Sequence, residues 1–262
     1  MKSFLIALSF LTTIPVRPNI ESNNELAKSA DSFMLVAHFK AIILALSSII
    51  SLYTMGRLPA AITVILMAEL LSGGLHSDGL ADTIDALGIK PQETPQKTRE
   101  KRLTVLKDPA TGAMGSLSLS IWALTCFAAL ATLSETSSLL TAAAIIAPIQ
   151  AISAIKTCMY KSKPATHSLS SIFLPYKSPM IILDHIAAFI TSTAALCFSF
   201  SLFVAAISAT ILSILTLTTS LIIKKNLTKK LGGINGDVLG ATHQICFAIS
   251  LLTLSAIDNL TK

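Results

Sequence analysis

The sequence predicts an all-α polytopic bundle of about seven membrane-spanning helices, preceded by a short N-terminal interfacial or half-inserted helix. Three observations carry that expectation. The chain is 52% hydrophobic and only 13% charged, against about 25% charged in an ordinary soluble domain. Its apolar residues fall into long blocks parted by short polar clusters, with a mean hydropathy of +0.71. Its basic residues gather in alternate connections between those blocks. A soluble helical enzyme would need polar outer faces, and residues 180–223 do not offer them. No internal repeat or separate soluble domain stands out, so residues 1–262 are expected to form a single integral membrane domain.

Segment 1–16 carries one lysine and a short apolar run before Pro15. At about a dozen residues it is too short for the ~20 that span a bilayer. It lacks a clear small-residue cleavage site, so a removed signal peptide is not expected. Seven blocks follow, at 39–55, 60–75, 113–133, 139–158, 180–198, 201–223 and 238–257. Several are shorter than ~20 residues, which suits helices buried inside a bundle. Cys126, Cys158, Cys197 and Cys246 stand singly in apolar surroundings, with neither CxxC nor metal-ligand spacing. They read as small buried hydrophobes.

The connections 17–40, 76–112, 156–179 and 224–237 hold seventeen of the 20 basic residues. The opposite connections hold little more than Arg57 and Glu135. The positive-inside rule places the four basic segments in the cytoplasm. The lysine-rich loops serve mostly as topology determinants, and no nucleic-acid partner is expected. The oligomeric state is left open, a homo-oligomer included.

The cytoplasmic connections also carry the polar motifs. In Gly73-Gly74-Leu75-His76-Ser77-Asp78-Gly79-Leu80-Ala81-Asp82-Thr83-Ile84-Asp85, the three aspartates stand at i, i+4 and i+7. A helix therefore carries Asp78, Asp82 and Asp85 on one face. Three like charges repel, and no Lys or Arg is interleaved over 73–89. A divalent cation such as Mg2+ is the simplest reason to keep them together. Two Gly-Asp segments precede later spans: Lys107-Asp108-Pro109-Ala110-Thr111-Gly112 and Gly232-Gly233-Ile234-Asn235-Gly236-Asp237. Each aspartate alone reads as a helix cap as readily as a ligand. Together the motifs suit Mg2+-dependent transfer on a phosphate or diphosphate, with lysines meeting the remaining charge. The spacing D-x3-D-x2-D does not choose among membrane enzymes that use this logic.

The ordered segments GGLHSDGLADTIDAL, RLTVLKDPATGAMG and LGGINGDVLGA, with the opening FLTTIPV at 10–16, resemble the cobalamin synthase family, adenosylcobinamide-GDP ribazoletransferase. The resemblance runs over nearly the whole chain. It implies a multi-pass enzyme of the bacterial inner membrane, with Mg2+ as cofactor and its active site facing the cytoplasm. Its substrates would be adenosylcobinamide-GDP and alpha-ribazole or its 5'-phosphate, and its products adenosylcobalamin or its phosphate plus GMP. It implies Asp78, Asp82 and Asp85 as metal ligands and His76, Asp82 and Asp108 as catalytic candidates. Lys107, Gly112, Lys161, Lys163, Gly236 and Asp237 would bind substrate, with Asp108 and Asp237 completing the metal site or orienting sugar hydroxyls.

The chain departs from the family pattern at several places. Pro109-Ala110 stands where Ser-Arg is usual, Ala151 lies where a basic residue is expected, and Gln244 replaces a Glu. The loop 163–168 lacks the usual Arg and Glu-Gly, and an early Pro and Gly are replaced near Ala37 and Lys40. Lost arginines remove bidentate phosphate donors that lysines replace only in part. The chain therefore reads as a divergent synthase or a relative with altered substrate. Another Mg2+-dependent membrane transferase is the alternative. The CDP-alcohol phosphotransferase signature fails because Asp82 stands where its Arg belongs. A transporter would need acids at mid-membrane, where only Glu69 and Asp184 qualify and neither has a repeat-related partner.

Overall fold

A computed structural model describes residues 1–133, 137–165 and 169–262. Eleven α-helices account for most of them: α1 (Lys2–Leu11), α2 (Asn23–Ser29), α3 (Phe33–Met55), α4 (Arg57–Ser72), α5 (Leu75–Leu87), α6 (Pro95–Val105), α7 (Ala113–Thr132), α8 (Ser137–Met159), α9 (Met180–Leu196), α10 (Leu202–Leu231) and α11 (Gly236–Leu260).

Hydrophobic patterning decides which helix goes where. The apolar windows of α8 and α11 are 83% and 78% buried, so these two form the centre of the bundle. Their packing faces are rich in small side chains, such as Ala143, Ala147, Ala151 and Ala154 on α8, which let neighbouring backbones approach closely. The corresponding windows of α7 and α10 are only 28% buried. Ile121, Leu124 and Ile214 on these helices project outward. In water such a belt would be an aggregation surface, whereas lipid accepts it without cost.

Among the described residues five helical stretches are long and apolar enough to cross a membrane, and a sixth arises if α4 and α5 count as one broken span. This agrees with the expected polytopic helical bundle. The block 180–198 is α9, whose 17 residues stand at the short end of the lengths that span. The block 60–75 belongs to α4, which stops at Ser72 and turns by 89° into α5. The N-terminal block is α1, which buries Ile6, Ala7, Leu8 and Leu11 against the bundle without crossing it.

The α4–α5 turn is built from Gly73 and Gly74, both left-handed at φ 61° and 73°, a conformation that costs glycine nothing. Carbonyls freed at the end of α4 find donors on the N-terminal segment. The Thr13 N–H reaches the Leu71 carbonyl at 2.8 Å and its hydroxyl reaches that of Leu70 at 2.9 Å. Thr13 thus anchors the FLTTIP segment to the bend, while the Thr12 hydroxyl donates back to the Leu8 carbonyl at 2.7 Å. Because α5 carries three carboxylates without a basic partner, it lies outside the hydrocarbon-crossing segments.

The two deep acids are both engaged. Asp184 pairs with Lys156 across α9 and α8. The Lys156 ammonium also lies 4.9 Å from the Tyr176 ring centre, and the Tyr176 hydroxyl donates to Asp31 at 2.8 Å. Glu69 accepts from Gln244 at 2.7 Å and from Ser77 at 2.8 Å. A substrate pathway through the bilayer would leave such acids facing an aqueous route rather than locked to neighbours.

Candidate active site

Helix α5 delivers its three aspartates to one face, and its neighbours give each a different setting. Asp85 turns toward α7. Its two carboxylate oxygens accept the Gly112 and Gly115 N–H groups at 2.7 and 2.8 Å. These amides belong to the start of α7, where unpaired donors and the helix dipole favour an anion. A side chain on Gly112 would put its Cβ 2.6 Å from an Asp85 oxygen, which is why glycine stands there. Asp85 therefore joins the first motif to the second and caps α7. Any metal would use only its remaining lone pairs.

The first motif meets the third through Gly79. A Cβ at Gly79 would lie 2.8 Å from the Asp237 carbonyl oxygen and 3.1 Å from the Gly240 Cα. Helices α5 and α11 thus touch backbone to backbone, and Asp78 and Asp237 come to one cavity. Asn235 caps α11 by accepting the Val238 N–H at 3.1 Å, and its amide donates to Asp237 at 2.6 Å. Asp82 sits between the motifs. Burial, and then the negative charges of Asp78, Asp237 and Asp85, push its carboxyl up to about 6. Among the described residues no Lys or Arg forms an ion pair with any of these four carboxylates.

His76 is buried at the back of this cavity, stacked on His243 with ring centres 3.8 Å apart. Its Nε2 meets no hydrogen-bond partner among the described residues. Behind it, the Gln244 amide donates to Glu69 at 2.7 Å and to Ser77 at 2.6 Å, while its oxygen lies 3.3 Å from His243 Nδ1. A Glu at position 244 would set a second carboxylate against Glu69. The amide is the better partner for Glu69, whose charge the buried Lys40 already feels.

The cavity has a volume of about 460 Å³. Of the residues expected from sequence, His76, Asp78, Lys107, Gly236 and Asp237 line it. A second depression of about 600 Å³ shares Phe10, Leu75 and Asp78 with it and includes Ala81 and Thr111. Asp108 is not brought in. It is exposed, and its carboxylate accepts the Ala110 N–H at 2.9 Å as a local turn. Lys161 and Lys163 are exposed and line neither space. Lys161 lies over the Tyr160 ring at 5.1 Å. The Lys163 carbonyl accepts the Ile234 N–H at 2.9 Å, so its backbone, not its charge, ties the loop after α8 to the glycine turn before α11. Ala151 is fully buried in the bundle, where its methyl packs tightly. Residues 166–168 of the departing loop lie outside the described residues.

Sequence reasoning missed the apolar wall of the cavity. Phe10, Phe33 and Phe173 form it, with ring centres 4.8 to 6.1 Å apart, joined by Leu103 and Leu106 from the basic segment. They come from distant parts of the chain, and no local pattern links them. Asn235 was legible as a cap signal next to Asp237 but was not singled out.

The donor chemistry of this face fits a hard divalent ion: carboxylate oxygens, uncompensated by basic side chains. Among the described residues no three His, Cys, Asp or Glu side chains gather closely enough to cage an ion by themselves. Mg2+ does not need such a cage. It usually takes one or two carboxylates and completes its shell with water and substrate phosphates.

A family model described as cobalamin-5-phosphate synthase matches residues 3–255. The chain is 29% identical over 275 residues to an adenosylcobinamide-GDP ribazoletransferase of Shewanella sp. (strain W3-18-1), covering 98% of this chain and 95% of the relative. It is 31% identical over 257 residues to the enzyme of that name from Shewanella piezotolerans, covering 96% and 93%. It is 28% identical to that from Clostridioides difficile (strain 630), covering 96% of each. No solved structure matches the chain.

Proposed function

The chain belongs to the cobalamin-5-phosphate synthase family, and on that footing we propose that it joins adenosylcobinamide-GDP to alpha-ribazole or its 5'-phosphate at the α5–α11 face. A ribose hydroxyl attacks the phosphorus attached to cobinamide, and a new phosphorus–oxygen bond forms to ribazole. The bond from that phosphorus to the bridging oxygen breaks, so GMP leaves with the bridge. The hydroxyl proton passes to the carboxylate face. The products are adenosylcobalamin or its 5'-phosphate and GMP.

The observation that supports this reading most is that Asp78 and Asp237, from two helices, line one cavity, with Asp82 near enough to feel both charges and no basic side chain paired with any of the three among the described residues. Asp78 and Asp82, with Asp237 beside them, would hold Mg2+. When bound, that ion neutralises the diphosphate oxygens and the developing charge on the leaving group. Asp85 fixes the end of α5 against α7 through two amide hydrogen bonds. Lys107 at the cavity wall meets phosphate charge. Asp78 and Asp237 orient sugar hydroxyls, which donate to carboxylates. His76, buried and with a free Nε2, is a positioning group behind them. The site faces the cytoplasm of a bacterial cell from its inner membrane, an orientation supported by the basic connections around it.

The reading is tested with purified protein in detergent, adenosylcobinamide-GDP, alpha-ribazole 5'-phosphate and Mg2+. GMP and one new corrinoid are expected in equal amounts. Folded protein that gives neither product contradicts it.

A further inference from the structure

The lining of the cavity beside Asp78 is of two chemical kinds. Phe10, Phe33 and Phe173 pack ring against ring, and Met159 and Ile155 extend that apolar surface. Asp78 and Asp237 share the same cavity. Aromatic rings and paired carboxylates in one cavity match a nucleoside: a flat heterocycle with little polarity at one end, and sugar hydroxyls that donate hydrogen bonds at the other. Both substrates carry a nucleoside, and polarity selects between them: guanine bears amide and amino groups along its edge, which the phenylalanines would leave unpaired. At about 460 Å³ the cavity falls in the range of about 300–1,000 Å³ that encloses small ligands. The neighbouring depression of about 600 Å³ shares Phe10, Leu75 and Asp78 with the cavity, so groups held in the two spaces meet at Asp78.

We propose that this cavity is the ribazole subsite, with Phe10, Phe33 and Phe173 taking the base and Asp78 and Asp237 taking the ribose, while the corrinoid diphosphate approaches from the adjoining depression. The proposal rests on the transferase reading above for the identity of the two substrates. It also gives the opening FLTTIP segment two tasks. Thr13 anchors it to the end of α4, and Phe10 on the turn before it closes the cavity over the base.

The test is the pair of Michaelis constants in Phe10→Ala. Phe10 is half-buried, so its truncation leaves the bundle core in place. Loss of an aromatic contact to the base is expected to raise the KM for alpha-ribazole about tenfold or more, and to leave that for adenosylcobinamide-GDP within about twofold. Phe10→Leu, which keeps the apolar volume without the ring, should show a smaller rise in the same constant and serves if the alanine variant fails to fold. An unchanged ribazole KM, or a rise confined to the corrinoid substrate, overturns the subsite while the transferase reading stands. If the wild type releases no GMP, that reading fails. Equilibrium dialysis of labelled alpha-ribazole then decides the subsite: retention by wild type and loss in Phe10→Ala support it, and equal retention or none overturns it.

Discussion

Asp82→Ala is expected to lower turnover by about a thousandfold or more while the protein inserts and folds as before, since transition-state charge stabilisation is a large part of phosphoryl-transfer catalysis. The structure separates the two effects. Among the described residues the Asp82 carboxylate has no hydrogen-bond partner, so its removal takes nothing from the fold. Burial, and then the charges of Asp78, Asp237 and Asp85, push it up to about 6, so its loss relieves both desolvation and repulsion. The thermal unfolding midpoint should stay level or rise as activity disappears. Near-normal turnover would remove the carboxylate face from the reaction. Lost activity with a sharply lower midpoint would make Asp82 a structural residue instead.

Gly79→Val is expected to damage both fold and activity, and for a different reason. Already at the Cβ, the new side chain would lie 2.8 Å from the Asp237 carbonyl oxygen and 3.0 Å from its Cα. These are backbone atoms of the first turn of α11, so the two helices must part. Overpacking of this kind costs about 1–3 kcal/mol, and the separation moves Asp237 away from Asp78. Gly79→Ala should show the same loss in smaller measure. The check is the unfolding midpoint together with turnover across the series glycine, alanine, valine. A valine variant with full activity would mean that the contact of α5 with α11 does not set the site.

The two variants mark what the sequence could and could not convey. The i, i+4, i+7 spacing of Asp78, Asp82 and Asp85 put them on one helical face, and that face exists on α5. The glycines themselves were legible in all three motifs. Which backbone approaches which was not, because the partners of Gly79 and Gly112 lie in other helices. For the same reason Asp85 looked equivalent to its neighbours, although the amides of Gly112 and Gly115 engage both its oxygens. Asp108 looked equivalent to Asp237, yet one lies in an exposed turn and the other under α5. The aromatic wall escaped because Phe10, Phe33 and Phe173 come from three separate segments, and an isolated phenylalanine in an apolar chain carries no signal. The bend between α4 and α5 escaped as well, because hydropathy does not register direction.

On the proposed reading, the face shared by α5 and α11 holds a divalent ion against the diphosphate of the corrinoid substrate. Mn2+ is a paramagnetic stand-in for Mg2+, and its electron paramagnetic resonance spectrum reports binding directly. In the presence of adenosylcobinamide-GDP, the wild type should convert the sharp spectrum of the free ion into a broadened one with phosphorus hyperfine coupling. Asp78→Asn/Asp82→Asn, shown to be folded by its unfolding midpoint, should leave the ion free. Equal Mn2+ binding and phosphorus coupling in wild type and variant would contradict the account.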